Sequence, residues 1–247
     1  MFLHTGRFVK QMKEAWKDHY LDIGNIHDGL LISSGFWVVW IENRHVSNEI
    51  KAAVMLLSGT LPKPDEMFRV EKDKADPQYR IVDDLLYQYI SRGDLYSKLI
   101  ITPVLLTENH DIRMIQGPNR QIYGINQEFL DMIDPGEVDF DAGESTPTGP
   151  CFGRDINSGI YWYNDFGIVM ILPIKTKKTE IPAVLSLLEF KEDGSIGKGY
   201  LRDAVGEVLG EYDATETALD DDTGGDGSSK NGQPDGVPET DDAEGAE

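Results

Sequence analysis

The chain has 247 residues, 40% of them hydrophobic, and a formal net charge of −21. That length supports one large domain or two small ones with real cores, and the acidity excludes a protein that coats nucleic acid over its whole outer surface. A single cysteine, Cys151, excludes an intramolecular disulfide and a thiolate metal cluster, and its place beside a Gly/Pro-rich turn suits a small half-buried residue.

Residues 6–20, GRFVKQMKEAWKDHY, place Phe8, Val9, Met12, Trp16 and Tyr20 at helical spacing, which predicts an amphipathic helix. Residues 29–43, GLLISSGFWVVWIEN, are aromatic and β-branched around a Ser-Ser-Gly turn, a hairpin. A second helix follows over 47–59, with Ser47 or Asn48 as cap and Gly59 as stop, and then a short strand over 66–72. The order then repeats. A helix is expected over 80–93, strands over 98–107, 111–117 and 120–125, and a short helix over 126–133. EVDFDAG, GPCFGRD, GIYWYND and GIVMILPIK read as further strands separated by Gly, Asn and Asp turns. Beyond Lys178 the patterns predict a strand over 183–190 and an amphipathic helix over about 198–212, where Leu201, Ala204, Val205, Val208 and Leu209 share a face.

These elements define an α+β fold, mainly antiparallel sheet with helices on one face. The expected organisation is a first helix/strand unit at 1–78, a second at 79–178, a strand-helix appendage at 179–212, and an acidic tail at 213–247. The tail carries 12 acids and one lysine, leaving a net charge of −10 for residues 1–212. With almost nothing to bury, it is expected to be disordered. No apolar run approaches the roughly 18 residues of a membrane span, and no signal-peptide core opens the chain, so a soluble cytoplasmic protein is expected.

Several catalytic patterns fail. Asp165-Phe166-Gly167 spells the metal-binding triplet of protein kinases, but no Gly-rich phosphate loop and no His-Arg-Asp loop accompanies it, so it reads as a turn. No phosphate-binding loop or dinucleotide fingerprint occurs, and the five histidines lack paired metal-ligand spacing. One weaker pattern, Asp165 with Glu189 and Lys191, has the residue types of a metal-dependent nuclease. The triplet is short enough to arise by chance, and a strand-end charge pair before the Asp193-Gly194 turn is the plainer reading of Glu189 and Lys191. The chain is therefore expected to be non-catalytic, with no cofactor and no metal.

The first helix carries Arg7, Lys10, Lys13 and Lys17 at spacings of 3, 3 and 4, one cationic strip in an acidic body. Such a strip can contact the phosphates of double-stranded DNA without reading sequence. A solvated helix face is the plainer alternative, and Glu14 and Asp18 moderate the strip.

The strand GIVMILPIK ends in Leu172-Pro173-Ile174-Lys175, and GINQEFLDMID opens the short helix with Phe129-Leu130. With the basic helix and the repeated element order, these residues resemble the DNA sliding clamp family. Bacterial clamps end in an apolar-Pro-apolar-Arg motif, here with Lys for Arg, and carry an Asn-x-x-Tyr-Leu-x-x-Leu helix start. The resemblance covers residues 6–178. It implies helices lining a ring around DNA, a homo-oligomer, and a processivity or scaffolding role. It also implies that Leu172, Pro173 and Ile174 form part of an apolar pocket for peptides from polymerases and other replication proteins. The chain departs from the family in holding two units where bacterial clamps have three domains, in Asp83 and Asp84 on the second unit's leading helix, and in the segments beyond 178. A phage or mobile-element relative accommodates these departures. The other reading left open is a non-catalytic phage or mobile-element accessory or inhibitor protein that binds a host protein through its acidic surface.

Overall fold

The computed structural model describes residues 1–74, 77–80, 97–107, 110–152, 159–174, 180–193, 195–202 and 208–213. The helix expected over 80–93, with Asp83 and Asp84, falls almost wholly outside these residues, as do Lys175 and all of the acidic tail beyond Asp213.

Helix α1, Thr5–Asp18, begins where the His4 side chain accepts from the Arg7 N–H. It buries Phe8, Val9, Gln11, Met12 and Ala15. Strands β1 (Leu21–Ile26), β2 (Gly29–Ser33) and β3 (Trp37–Glu42) form a meander, and helix α2 (Asn48–Ser58) follows. Ser47 caps α2 through its Oγ, 3.2 Å from the Ile50 nitrogen. Gly59 ends it in the left-handed region at φ 76°, where a side chain would be strained. Strand β4 is Glu66–Val70 and β5 is Gln78–Arg80.

Downstream lie β6 (Ser97–Lys98), β7 (Ile100–Thr107), β8 (Asp111–Gln116) and β9 (Ile122–Asn126). Helix α3, Gln127–Leu130, is capped by Asn126, whose Oδ1 accepts from the Glu128 N–H at 2.9 Å. Strands β10 (Thr148–Phe152), β11 (Ile160–Asn164) and β12 (Gly167–Ile171) complete the central sheet, and Asp165-Phe166 is the two-residue turn of the β11–β12 hairpin, as the sequence implies.

The largest sheet has nine strands in the order β5-β4-β1-β2-β3-β12-β11-β10-β6. Every described pairing in it is antiparallel. The α+β, mainly antiparallel fold class is therefore what the chain adopts. The seam between the two halves of the chain is β3 on β12, with Val39 opposite Val169 and Trp37 opposite Ile171. A second sheet, β7-β8-β9, joins the first through the bridge between Gly124 and Ile174.

Strand alternation sorts side chains to two faces. Leu21, Ile23, Leu30, Ile32, Trp37, Val39, Ile41, Val169 and Ile171 join the main core with α1 and α2, where Phe8 meets Trp37 edge to face at 5.5 Å. The same core takes in Leu99, Ile115, Ile125, Met132, Phe152 and Trp162, so one continuous core spans both halves. Ile26, Leu31, Val38 and Met67 form a smaller cluster with Trp40, Ile168 and Met170 on alternate strand positions. This explains why the hairpin segment is apolar throughout: β2 is buried at all five positions.

Four segments differ from the sequence expectations. Residues 21–26, where no element is expected, are β1, a central strand. Their signal is weak because the turn closing the β1–β2 hairpin is His27-Asp28, with both residues at positive φ, in place of a glycine-containing pair. EVDFDAG is not a strand. A 3₁₀ turn at Pro135–Glu137 and a side-chain-capped loop replace it, because Asp134 Oδ1 accepts from Gly136 N–H and Asp139 Oδ1 from Ala142 N–H. Residues 183–190 begin inside a helix, α4 (Glu180–Leu185), with Pro182 in its first turn, and only Leu188–Phe190 is strand, β13. The helix expected over 198–212 is two strands, β14 (Ile196–Arg202) and β15 (Val208–Asp213), in a sheet β13-β14-β15. Gly197, Gly199, Gly206 and Gly210 would each cost a helix about 1 kcal/mol relative to alanine, which outweighs the helical spacing of its five apolar residues.

Candidate functional site: the exposed face of the first helix

With Phe8, Val9, Met12 and Ala15 turned into the core, the 3.6-residue repeat sends Arg7, Lys10, Lys13 and Lys17 to solvent, and all four are exposed. The sequence-predicted strip is therefore one surface. Its two ends are electrostatically different. Arg7 Nη1 donates to the Asp131 carbonyl at 3.1 Å and lies 3.5 Å from Asp131 Oδ2. Lys10 Nζ lies 3.6 Å from Glu14 Oε1 and 3.7 Å from Glu128 Oε1. Gln11, buried beneath them, donates from Nε2 to Glu14 Oε2 at 2.9 Å and to Glu128 Oε2 at 3.4 Å, which holds both carboxylates against the helix. Lys13 and Lys17 take part in no ion pair among the described residues.

Besides Glu14 on α1 itself, the acids that neutralise the first half of the strip come from α3 and the residue after it. Glu128 and Asp131 share a face at i, i+3, a spacing visible in the sequence, but nothing local says that this face meets α1, more than 110 residues away.

Leu172, Pro173 and Ile174 lie just past the end of β12 and are half-buried. The Leu172 N–H donates to the Phe36 carbonyl at 2.9 Å, and the Ile174 N–H donates to the Gly124 carbonyl at 2.7 Å. The segment thus laces the turn before β3 to β9. The Phe36 ring is 49% exposed, 5.5 Å from His19. Phe36 is an addition to this neighbourhood that the sequence alone does not connect with residue 172. Among the described residues, a small pocket lies elsewhere, lined by Met1, Leu3, Thr5, His45, Ser47, Ile50 and Glu137.

Beside that pocket, the Glu144 carboxylate is buried and meets three groups. Its Oε2 pairs with the N-terminal ammonium of Met1 and accepts from the Asp139 N–H at 3.0 Å, and its Oε1 is 3.1 Å from His45 Nδ1. Burial pushes the Glu144 pKa up, but the ammonium, the Asp139 N–H and His45 outweigh it and hold the carboxyl below the ordinary value. The His45 ring stacks on Phe166 at 4.2 Å, and the Arg44 guanidinium covers the same ring at 5.0 Å.

The three residues of the nuclease pattern are not assembled. Asp165 sits in the β11–β12 turn, where Ser145 Oγ donates to its Oδ2 at 3.1 Å, while Glu189 is on β13 in another sheet, with Lys191 just past the strand's end. No group of three or more His, Cys, Asp or Glu that could hold a metal ion occurs among the described residues. Cys151 is buried on β10, and burial pushes its thiol pKa up, offset in part by Lys98. Among the described residues, no helix is long and apolar enough to cross a membrane.

No family model matches the sequence, and no curated protein matches it. Among solved structures, the DNA polymerase III beta chain of Streptococcus pneumoniae is similar at a TM-score of 0.27 and 10% sequence identity, over 85% of this chain and 84% of that chain. The superposition is loose.

Proposed function

We propose that the protein is a clamp-like, non-catalytic DNA-associated processivity or scaffolding factor. In this reading α1 lies against the phosphates of double-stranded DNA, and the half-buried Leu172-Pro173-Ile174 segment receives short peptides from a polymerase or another replication protein. The observation that carries the proposal is the exposed cationic face of α1, above all Lys13 and Lys17, which stand clear of ion pairs among the described residues. Phosphate contact requires only reach and positive charge, and both lysines supply them.

The test is anisotropy of a fluorescent DNA duplex titrated with the full chain between 50 and 200 mM salt. Two lost phosphate contacts lower the slope of log affinity against log salt by about 1.8, so Lys13→Glu with Lys17→Glu should remove roughly a tenfold share of the affinity change over that range. Both side chains are exposed, so the variant folds as the parent does. Absence of salt-dependent duplex binding, or an unchanged slope in the variant, overturns the proposal.

A second reading, an accessory protein that binds a host protein through acidic surface, is favoured by Phe140. This ring is 66% exposed in the loop after the 3₁₀ turn, flanked by Asp139 and Asp141. Failure of duplex binding together with loss of a purified partner on Phe140→Ser would select it.

A further inference from the structure

Lys13 and Lys17 are exposed on one face of α1, and no ion pair among the described residues neutralises either. They stand four residues apart, about 6 Å along the helix axis. Glu14 follows Lys13 in sequence, but Gln11 and Lys10 hold its carboxylate on their own side of the helix. Asp18 follows Lys17, and neighbours at i, i+1 on a helix do not face each other. Lys63 and Lys72 are exposed as well, but singly, one in the loop before β4 and one after that strand.

The chain carries a segment of the matching charge. Residues 214–247 hold eleven acids and one lysine. Residues 1–212 already have a net charge of −10, which repels such a segment from most of the surface. Three pairs of acids in the segment stand two residues apart: Asp220 with Asp222, Glu239 with Asp241, and Asp242 with Glu244. In extended backbone, residues two apart point to one side at about 6.6 Å, close to the separation of the two lysines. Reach is ample. A flexible polar chain of about 28 residues, the distance in sequence from Asp213 to Asp241, has a root-mean-square span of about 30 Å. A folded body of this size has a radius of gyration of about 17 Å.

We propose that the acidic segment 214–247 docks on the Lys13–Lys17 face of α1 in the same chain, where its carboxylates take the place of phosphate. Single exposed ion pairs are weak, but tethering supplies an effective concentration in the mM range, so the contact does not depend on protein concentration. It weakens with salt, because both partners are exposed. A polyanion that engages α1 must then displace the segment. The inference goes beyond the duplex-binding reading and stands or falls separately from it, since neither measurement below uses DNA.

Carbodiimide coupling joins an amine to a carboxylate where the two touch. Applied to the full chain at low concentration, with links inside single chains mapped by mass spectrometry, it should join Lys13 and Lys17 to residues of 214–247. These links should exceed those from Lys63 and Lys72 about fivefold at low salt, and fall about fivefold at molar salt. The full chain with all eleven acids changed to their amides, Asp→Asn and Glu→Gln, leaves the described residues untouched. In it, Lys13 and Lys17 should acetylate about threefold faster relative to Lys63 and Lys72 than in the parent. Links spread evenly over the four lysines, links only between two chains, links indifferent to salt, or an unchanged acetylation ratio each overturn the inference.

Discussion

Glu144→Gln should destabilise the protein far more than a neutral, nearly isosteric change on a loop ordinarily would. The Glu144 side chain is 3% exposed, and it joins the Met1 ammonium, the Asp139 N–H and His45, three segments distant in sequence. Breaking a buried ion pair by removing one partner costs about 3–5 kcal/mol, because the other charge stays buried. Glutamine keeps one acceptor oxygen, so a loss of about 2–3 kcal/mol is expected, or roughly 4–12 °C in Tm for a chain of this size. The pH dependence has a definite sign. The folded-state pKa lies below the unfolded value, so the carboxylate's contribution is present above the ordinary glutamate pKa near 4.3 and is lost as pH falls through the lower folded value. Thermal unfolding by circular dichroism at pH 7 and at steps down to pH 3 should show a gap between parent and variant that narrows on acidification. Equal Tm at pH 7, or a gap that stays constant to pH 3, would refute the account of Glu144 as the charged centre of this junction.

Arg69→Lys should lower stability by about 1–2 kcal/mol by chemical denaturation, because lysine replaces neither the paired 2.7 Å bonds from Nε and Nη2 to Asp22 nor the guanidinium lying 3.4 Å over the Tyr20 ring. Gly35→Ala should cost about 1–3 kcal/mol in the same assay, since φ is +79° and the new Cβ would come within 2.5 Å of the Tyr20 hydroxyl, whose ring Arg69 already pins. Cys151 should react slowly with a disulfide reagent in the native protein and at the rate of a free thiol in denaturant, and rapid native labelling would contradict its burial. Glu128→Gln with Asp131→Asn should steepen the salt dependence of duplex binding by up to about 1.8 by releasing Lys10 and Arg7, whereas a purely structural role for those pairs leaves the slope unchanged.

The amphipathic helices and most hairpins are legible because periodicity is a local property. Phe8, Met12 and Ala15 declare their face within one helix, and the Ser47 and Gly59 caps mark α2 without reference to the rest of the chain. What is illegible arises where side chains take over backbone bonding or where a partner lies far away. The carboxylates of Asp134 and Asp139 bend 134–142 away from a strand, and the four glycines after Ile196 defeat a helical pattern that looks sound when apolar residues alone are counted. The candidate site divides the same way. The spacing of Arg7, Lys10, Lys13 and Lys17 fixes their common face, and Glu14 is visible beside it, but Glu128 and Asp131 arrive from α3 and its C-cap, and Phe36 comes beside Leu172 only through pairing of β3 with β12.

The contrast between the two neighbouring helices constrains how the molecule can work. Both bury one face in the same core, yet α1 offers water four cations and α2 offers it methionine and leucine. Phosphate oxygens gain nothing from the α2 stripe, and an apolar partner gains nothing from α1, so one ligand does not satisfy both. Salt separates them physically. Screening at high ionic strength weakens contacts through Lys13 and Lys17, while apolar burial on α2 is unaffected or strengthened. A single mixed surface would lose both kinds of contact together as salt rises. Opposite salt responses for duplex binding and for binding of an apolar dye at α2 are what two chemically distinct helix faces on one core require.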